Sequence, residues 1–361
     1  MKILVINTVP TDKNGITNVI INYLNAMGND VAFDYVAINN PNVFYVIFLK
    51  EKGAALYTLN RRNVLGYIGS LCKIIRKNKY DAIHVHGNSH TVVLELLAAK
   101  LAGCKVRIIH AHSTGCNSVA LHKLLAGLFD SLCTDRLACG EKAGKFMFGN
   151  KPFKIINNGV DVEKYSFDNK AREAFRVNLA LTETDILIGH VGYFMPVKNQ
   201  SFLVDVFAEL AKNDSRFHLI LIGDGAMRTE IEQKVACLGL THKVTFTGNI
   251  DNVSEYLNAI DIIIMPSLYE GLPLTLVEQQ ANGLQCVCSD TIAEEADKTG
   301  NLKFLSLNLG SVEWASEIRS FIKLDGRELR SKNAVKNIEK GGYSIYKEAQ
   351  NLTAYYKSCI N

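Results

Sequence analysis

PSLYEGLPLTLVEQQANGLQCVCSD, residues 266–290 of this 361-residue sequence, carries the clearest signal of the fold. A short apolar run of the buried-strand type, residues 261–265, comes just before it, and residues 285–288 have the character of the next strand. The spacing predicts one helix between the two strands, with Pro273 in its first turn and its end at Asn282-Gly283. Strand, helix and strand in this order predict one unit of a parallel α/β sheet.

Two glutamates accompany this helix. Glu270 lies just before it, and Glu278 lies about two turns along it. In one interpretation, Glu270 complements the positive end of the helix dipole and Glu278 is a solvated surface residue. In the other, free N–H groups around Gly271, Leu272 and Leu274 bind a phosphate, while the two carboxylates bind hydroxyls of a nucleotide sugar. The spacing alone leaves both interpretations open.

The rest of the chain alternates strand-like and helix-like segments in two series. Each series begins with a buried strand, the first at Lys2–Ile6 and the second at Ile186. This pattern predicts an α/β protein with two Rossmann-like, doubly wound domains whose parallel sheets face each other across a cleft. We expect the domains to comprise residues 1–165 and 166–344, with a C-terminal helix at about 345–361 packing back on the first.

Composition limits the class of protein. Apolar residues make up 48% of the chain, but no uninterrupted apolar run approaches the roughly 18–20 residues that span a bilayer. The first strand begins at Lys2 with no small-residue cleavage site behind a longer apolar segment, so we expect no secretory signal and a cytoplasmic protein. The nine cysteines lack the spacing of a metal site, which predicts reduced, structural thiols.

Charge is distributed unevenly along the chain. Residues 1–165 contain 20 Lys and Arg against 11 Asp and Glu, a net charge of +9, whereas residues 166–361 contain 20 against 25, a net charge of −5. Much of the basic excess lies around one predicted amphipathic helix, in Arg61, Arg62, Lys73, Arg76, Lys77 and Lys79. Such a cluster is either a solvated helix face or a peripheral contact with the anionic inner face of the cell membrane.

Open parallel sheets bind ligands just beyond the carboxyl ends of their strands. The segments that follow predicted strands here contain Gly15, His86-Gly87, His112, and residues 193–199, 223–225, 248–249 and 269–274. The sequence has no GxGxxG after its first strand and no GxxxxGK[ST] anywhere, so the dinucleotide and P-loop classes lose their usual support. We expect no nucleic-acid partner.

The sequence as a whole resembles the retaining glycosyltransferases of family 4, which have the GT-B type of fold. It is most similar to members that build capsular or exopolysaccharide repeat units. The most specific match is SLYEGLPLTLVEQQANG, in which seven residues separate Glu270 from Glu278. Supporting matches, in chain order, are DAIHVHG at 81–87, INNGVD at 156–161, VGYFMPVKN at 191–199 and IGDG at 222–225.

The resemblance implies a role for each matched residue of the second domain. Glu278 would bind the ribose hydroxyls of the nucleotide, and Glu270 would contact the transferred sugar. Backbone N–H groups of Gly271, Leu272 and Leu274 would meet the diphosphate at the start of the helix. Lys198 would neutralise the diphosphate leaving group, whose charge most needs stabilising in the transition state.

The remaining implied contacts surround this centre. In the first, acceptor-side domain, Gly15 would permit close approach of a loop to the donor. In the second, nucleotide-sugar-binding domain, further donor contacts would come from Tyr193, Asn199, Gly223, Gly225, Asn249 and Ile250. The family commonly carries arginine where this sequence has Tyr193, and a neutral phenol cannot replace a bidentate guanidinium. Another cation, or a stacking and hydrogen-bonding role for Tyr193, would have to compensate.

Four histidines follow or end two predicted strands. His112, within HAHS, matches the family position that faces the transferred sugar, so the resemblance implies a catalytic role for it. We expect His84, His86 and His110 to be structural, with His84 and His86 on one face of their strand and His110 and His112 on one face of theirs. Because no aspartate pair or cluster of metal ligands is visible, we predict no metal and no cofactor.

The sequence therefore predicts a retaining glycosyltransferase. It would move a sugar from a nucleotide-sugar donor, a UDP-sugar, to a lipid-linked saccharide in capsule, exopolysaccharide or O-antigen synthesis. Two alternatives stay open on the same scaffold. One is a sugar-nucleotide epimerase or phosphorylase, and the other is a non-catalytic nucleotide-sugar-binding partner of another transferase.

Overall fold

The chain forms two compact units in a computed structural model that describes residues 1–12 and 14–360. The first unit comprises Met1–Gly159 and Gly342–Asn361, and the second comprises Val160–Gly341. The first unit is therefore built from both ends of the chain. Of the predicted C-terminal helix at 345–361, Asn361 lies outside the described residues.

A seven-stranded parallel sheet forms the centre of the first unit, in the order β3-β2-β1-β4-β5-β6-β7. Its strands are β1 Lys2–Asn7, β2 Ala32–Ala37, β3 Leu56–Thr58, β4 Ala82–His86, β5 Val106–Ala111, β6 Asp135–Ala138 and β7 Lys154–Ile155. The helices between them are α1 Gly15–Ala26, α2 Val43–Glu51, α3 Val64–Asn78, α4 Val93–Leu101, α5 Val119–Leu124, α6 Ala126–Leu132 and α7 Glu141–Phe148.

A six-stranded parallel sheet forms the second unit, in the order β10-β9-β8-β11-β12-β13. Its strands are β8 Ile186–Val191, β9 Phe217–Ile222, β10 Val244–Gly248, β11 Ile262–Met265, β12 Gln285–Ser289 and β13 Leu302–Leu305. Its helices are α8 Asn169–Asn178, α9 Gln200–Asn213, α10 Arg228–Cys237, α11 Val253–Ala259, α12 Leu274–Ala281, α13 Ser311–Phe321 and α14 Arg327–Lys340. The chain then returns to the first unit as α15, Ile345–Ile360, which packs against α1.

The central strands are buried on both faces, as parallel strands covered by helices require. Every residue of β8 and β12 is buried, as are five of the six in β1. Two parallel sheets with intervening helices are Rossmann-like, and they confirm the predicted fold class. The sequence analysis did not predict β3 and β13, which are edge strands of three and four residues.

Strand order determines where each unit can bind a ligand. In the second unit the order reverses beside β8, whose neighbours are β9 and β11. The loops that follow β8 and β11 therefore lie side by side at the carboxyl edge of the sheet, where open α/β sheets bind ligands. In the first unit, β1 and β4 are neighbours at the corresponding reversal.

Candidate active site

Lys198 and Glu270 form an ion pair in the second unit. Nζ of Lys198 donates to Oε1 of Glu270 across 2.5 Å, and the two side chains are only 17% and 15% exposed. Their loops are joined by two further hydrogen bonds, from the backbone N–H of Leu268 to the carbonyl of Val197 and from Nδ2 of Asn199 to the carbonyl of Pro266. The structure thus brings together the cation and the carboxylate that the sequence singled out separately.

The glycines after β9 pack their backbone against the loop after β8. Gly223 and Gly225 have φ values of +137° and +156°, a region that L side chains rarely adopt. A Cβ atom would lie 2.1 Å from the carbonyl oxygen of Gly192 at Gly223, and 2.5 Å from that of Phe194 at Gly225. Both positions therefore require glycine for close backbone packing, whatever ligand the loops bind.

Tyr193 and the segment after β10 complete this edge of the sheet. The Tyr193 ring is 56% exposed and lies beside Gly225, so its face and its hydroxyl are accessible. Asn249 is exposed and Ile250 is half-buried, directly after a backbone hydrogen bond from Gly223 to Gly248. The four segments after β8, β9, β10 and β11 therefore supply all the predicted donor contacts of this unit.

Arg228 is a cation at this edge that the sequence analysis missed. Its guanidinium lies 3.3 Å from the Cβ position of Gly248, and it pairs with Asp224 and Glu232. The signal was available, because Arg228 follows the IGDG segment at the start of α10. Arg228 and Tyr193 both border the loop after β9, Arg228 through its ion pair with Asp224 and Tyr193 beside Gly225.

Helix α12 begins one residue later than the sequence predicted. Pro273 is the N-cap and not a residue of the first turn, and no side chain caps the helix. Gly271 is exposed, while Leu272 and Leu274 are half-buried, and all three follow Glu270 directly in the segment that leads into the first turn of α12. Because α12 starts at Leu274, Glu278 is its fifth residue, just over one turn along and not two.

The carboxyl of Glu278 is half-buried, and its pKa is raised. Burial raises its pKa to about 7, against the opposing effects of a hydrogen bond from Tyr165 and the charge of Lys164. The same interaction with Glu278, added to burial, raises the pKa of Tyr165, so Tyr165 stays a neutral donor. Glu278 therefore titrates near neutral pH, which a solvated surface glutamate would not do.

In the first unit, Gly15 is the first residue of α1. Asn14 caps this helix by accepting a hydrogen bond from the backbone N–H of Thr17. A Cβ atom at Gly15 would have no neighbour within 4 Å. The packing of the protein does not itself require glycine here, which leaves the implied approach of a ligand untested.

His112 follows β5 and lies in a group of four histidines. Its backbone N–H donates to Oδ1 of Asn88, and its Nε2 lies 2.8 Å from Nδ1 of His86. Burial lowers the pKa of His112 to about 4, so its imidazole is neutral at physiological pH. A neutral ring can donate or accept a hydrogen bond from a sugar hydroxyl, but it supplies no positive charge.

The expectation that no cluster of metal ligands exists is wrong for the described residues. His84, His86 and His110 each offer a ring nitrogen, and these nitrogens lie within 4.8 Å of one another. Each pair of histidines lies on one face of its strand, as predicted, and five of the six possible ring pairs are in contact. The sequence could not show the cluster, since it depends on the register that sets His86 beside His110.

Two Rossmann-like units in one chain, with polar loops at the carboxyl edges of both sheets, place the protein in the GT-B class. In fold it is similar to Anabaena HepE in complex with UDP, with a TM-score of 0.81, 18% identity, and coverage of 99% of this chain and 100% of that one. It is also similar to WaaG, a glycosyltransferase involved in lipopolysaccharide biosynthesis, with a TM-score of 0.68, 14% identity and 99% coverage of each chain.

Sequence comparison identifies the family. Residues 171–336 match the family described as glycosyl transferases group 1. The chain is 31% identical over 328 residues to the putative glycosyltransferase EpsF of Bacillus subtilis, covering 85% of this chain and 84% of that protein. It is also 31% identical over 237 residues to an Escherichia coli UDP-Gal:alpha-D-GlcNAc-diphosphoundecaprenol alpha-1,3-galactosyltransferase, covering 61% of this chain and 60% of that one. The chain belongs to the group 1 glycosyl transferases and is a glycosyltransferase.

Proposed function

We propose that this enzyme is a retaining glycosyltransferase that moves a sugar from a UDP-sugar to a lipid-linked saccharide in capsule, exopolysaccharide or O-antigen synthesis. The observation that carries the proposal is the Lys198–Glu270 ion pair beside the uncapped start of α12, with Glu278 one turn farther along. The names of the relatives support its details. The Escherichia coli relative is named for a UDP-sugar donor and a diphosphoundecaprenol-linked acceptor, and HepE has been solved with UDP and with UDP-glucose.

The second unit would bind the donor through groups that are already in place. N–H groups of Gly271, Leu272 and Leu274 would donate to the diphosphate, and Lys198 would exchange part of its bond to Glu270 for a phosphate oxygen. Glu270 would then accept from hydroxyls of the sugar, and Glu278 from those of the ribose. Asn249, Ile250 and the loop at 223–225 would surround the base.

The chemical step needs little more than positioning and charge balance. The bond from the anomeric carbon to the diphosphate oxygen breaks, an acceptor hydroxyl oxygen bonds to the same face of that carbon, and its proton passes to the departing phosphate. Lys198 and the backbone N–H groups would stabilise the developing phosphate charge, so we propose that transfer itself requires no metal ion. In the first unit, His112 would act as a catalytic residue that faces the transferred sugar, and Gly15 would permit close approach of its loop to the donor.

Replacement of Glu270 tests this assignment. We expect Glu270→Gln to lower transfer from a UDP-sugar by at least about 100-fold, because a neutral amide neither balances Lys198 nor binds sugar hydroxyls as strongly. The measurement is release of UDP from a panel of UDP- and GDP-sugars with a lipid-linked acceptor. Glu317→Gln is the matched control, since Glu317 forms an ion pair with Lys303 elsewhere in the same unit and should keep full activity.

Two outcomes of that assay would contradict the proposal. Full activity in Glu270→Gln would remove the role of this carboxylate. Conversion of the UDP-sugar to a different sugar nucleotide without added acceptor would instead identify an epimerase. Product analysis by mass spectrometry and NMR separates transfer from epimerisation, and the anomeric configuration of the product tests retention.

We also propose that the first unit contacts the anionic inner face of the membrane from the cytoplasm. Among the residues that the structure describes, no helix is long and apolar enough to cross a membrane. Two residues of the predicted basic cluster bond within the protein, since Arg61 pairs with Glu95 and Arg76 donates to the carbonyl of Leu101. Exposed apolar side chains of the same unit, Phe44 and Ile47 on α2 and Leu124 at the end of α5, would add to the contact.

Vesicle binding tests the membrane contact. We expect vesicles with anionic lipids to bind the protein at low salt and to release it at high salt, because exposed charges are screened within about 10 Å at 0.1 M salt. Phe44→Ser and Lys73→Gln should each weaken binding several-fold, and the Asp/Glu-rich second unit offers Lys332→Gln as a control without effect. Equal binding to neutral and anionic vesicles would contradict the electrostatic part of the proposal.

A further inference from the structure

Four histidines fill one face of the sheet in the first unit, where β4 and β5 end. His84 and His86 lie two residues apart on the same face of β4. His110 lies on β5 beside His86, and His112 follows β5. Ring centroids of contacting pairs lie 4.2 to 5.4 Å apart. The role proposed for transfer uses only His112, so three of the four have no function there.

Several nitrogens of this cluster have no hydrogen-bond partner among the described residues. They are both ring nitrogens of His110, Nε2 of His84 and Nδ1 of His112. The His110 side chain is fully buried, and those of His84 and His86 are almost so. Buried polar atoms in folded proteins nearly always have a partner, so several unpaired ring nitrogens in one cluster indicate a ligand.

We propose that His84, His86 and His110 bind a transition-metal ion, and that Zn²⁺ is the ion that fits best. Each residue offers one ring nitrogen, and the three nitrogens lie within 4.8 Å of one another. Tetrahedral Zn²⁺ with Zn–N bonds of about 2.0–2.1 Å sets its ligand nitrogens roughly 3.4 Å apart. The rings would need to move together by about an ångström, which side-chain rotation can supply.

The chemistry of the donor set suits a transition metal, because all three proposed ligands are imidazole nitrogens. A ligand set of imidazoles alone favours Zn²⁺, Co²⁺, Ni²⁺ or Cu²⁺ over the oxygen-seeking Mg²⁺ and Ca²⁺.

Two outer partners already orient the proposed ligands. Nδ1 of His84 lies 2.5 Å from the hydroxyl of Tyr356, and Nδ1 of His86 lies 2.8 Å from Nε2 of His112. Metal-binding histidines commonly use their second nitrogen in this way. Because Tyr356 lies on α15, the ion would link β4, β5 and the C-terminal helix, which is a structural role distinct from the chemistry of transfer.

Metal titration of the full-length enzyme tests the proposal. The protein is freed of metal with a chelator and titrated with ZnCl₂ and, separately, with CoCl₂. We expect one equivalent of each metal per chain, the visible absorption bands of tetrahedral Co²⁺, and a higher Tm with Zn²⁺. His110→Leu and His84→Gln should each weaken Zn²⁺ binding at least tenfold and abolish the rise in Tm.

His218→Gln is the matched control, because His218 is a partly buried histidine of the second unit beside Asp185. It should keep the stoichiometry and the Tm rise of the wild type. His110→Leu removes two unpaired nitrogens from the core, so without metal we expect its Tm to equal or exceed that of the wild type. If His110→Leu does not fold, Zn²⁺ affinity and the Tm rise are compared between His84→Gln and the wild type. Less than stoichiometric uptake by the wild type, or equal Zn²⁺ affinity in a folded cluster variant, would overturn the proposal.

Discussion

Lys198 and Glu270 neutralise each other in the second unit. Their contact is 2.5 Å long and mostly shielded from water, so it is stronger than an exposed ion pair. A diphosphate that binds at the start of α12 must compete with Glu270 for Lys198. Donor binding would thus replace one charge pair by another and release the Glu270 carboxylate at the same moment as the sugar arrives.

Glu278 predicts a dependence of donor binding on pH. Its pKa of about 7 means that it is mostly protonated at pH 6 and mostly ionised at pH 8, and a carboxylate accepts stronger hydrogen bonds from ribose hydroxyls than a carboxylic acid does. The ionised fraction rises about tenfold between these pH values, so we expect the Kd for UDP-glucose to fall by up to about tenfold. UDP-glucose is the suitable probe, because its diphosphate does not titrate in this range.

The control is Glu278→Gln, measured by calorimetry at the same pH values. This variant should bind UDP-glucose more weakly at pH 8 and with a Kd that hardly changes with pH. The same slope in the variant and in the wild type would show that another group titrates. The free protein gives an independent check: since the pKa of the folded state lies above that of the unfolded chain, Glu278 should lower the stability of the wild type as pH rises from about 4.5 to 7, relative to Glu278→Gln.

At the scale of elements, the loop after β9 is held by backbone contacts that leave no room for a side chain. Gly223 and Gly225 combine positive φ values with close approach to carbonyl oxygens of the loop that leads to Lys198. A displacement of one loop must therefore displace the other. The position of Lys198 therefore depends on Gly223 and Gly225, which contact the loop that leads to Lys198 and not Lys198 itself.

Gly225→Ala should consequently weaken donor binding by displacing both its own loop and the loop that leads to Lys198. We expect at least a tenfold rise in the Kd for UDP-glucose and a loss of stability of about 2 kcal/mol or more, because the Cβ atom would lie 2.5 Å from the carbonyl oxygen of Phe194. Gly239→Ala is the matched control: its φ is +71°, but a Cβ atom there has no neighbour within 4 Å. Gly239→Ala should lower the stability by only about 1 kcal/mol and leave the Kd for UDP-glucose unchanged. An equal rise of the Kd in both variants would contradict the dependence of donor binding on the packing of Gly225.

How far the sequence predicts these elements depends on where each lies in its sheet. Central strands such as β8 and β11 are mostly or entirely apolar, so the loops that follow them, with Lys198 and Glu270, could be located from sequence alone. The edge strands β3 and β13 are short and only partly buried, and they carry no such pattern. The histidine cluster and the Lys198–Glu270 pair depend on which strands are neighbours and in what register, and residue spacing does not contain that information.

At the scale of the whole molecule, α15 makes the first unit depend on the end of the chain. Ile345, Ala349, Leu352 and Tyr356 are buried along one face of this helix, at the spacing that a packed helix requires. Glu348 accepts a hydrogen bond from the backbone N–H of Asn157, which fixes α15 to the segment that follows β7.

Leu352→Ala tests this dependence. We expect a loss of about 2–5 kcal/mol in the stability of the first unit, because Leu352 is fully enclosed and the cavity would not close completely. Hydrogen exchange should accelerate in β1 and β4 but not in β8 and β9, since the second unit does not include the helix. Lys357→Ala is the control: it removes only an exposed ion pair with Asp30 and should change neither the stability of the first unit nor its hydrogen-exchange rates. Equal acceleration of exchange in both units by Leu352→Ala would contradict the assignment of α15 to the first unit.

The return of α15 to the first unit also sets an order of events on the ribosome. The second unit is one continuous segment, Val160–Gly341, and can fold as soon as it has emerged. The first unit must wait with its sheet only partly covered until α15 has been made, about 10–40 s after Gly159 at typical rates of synthesis. During that interval the face that carries the four histidines is exposed, and the nascent chain is then most in need of a chaperone.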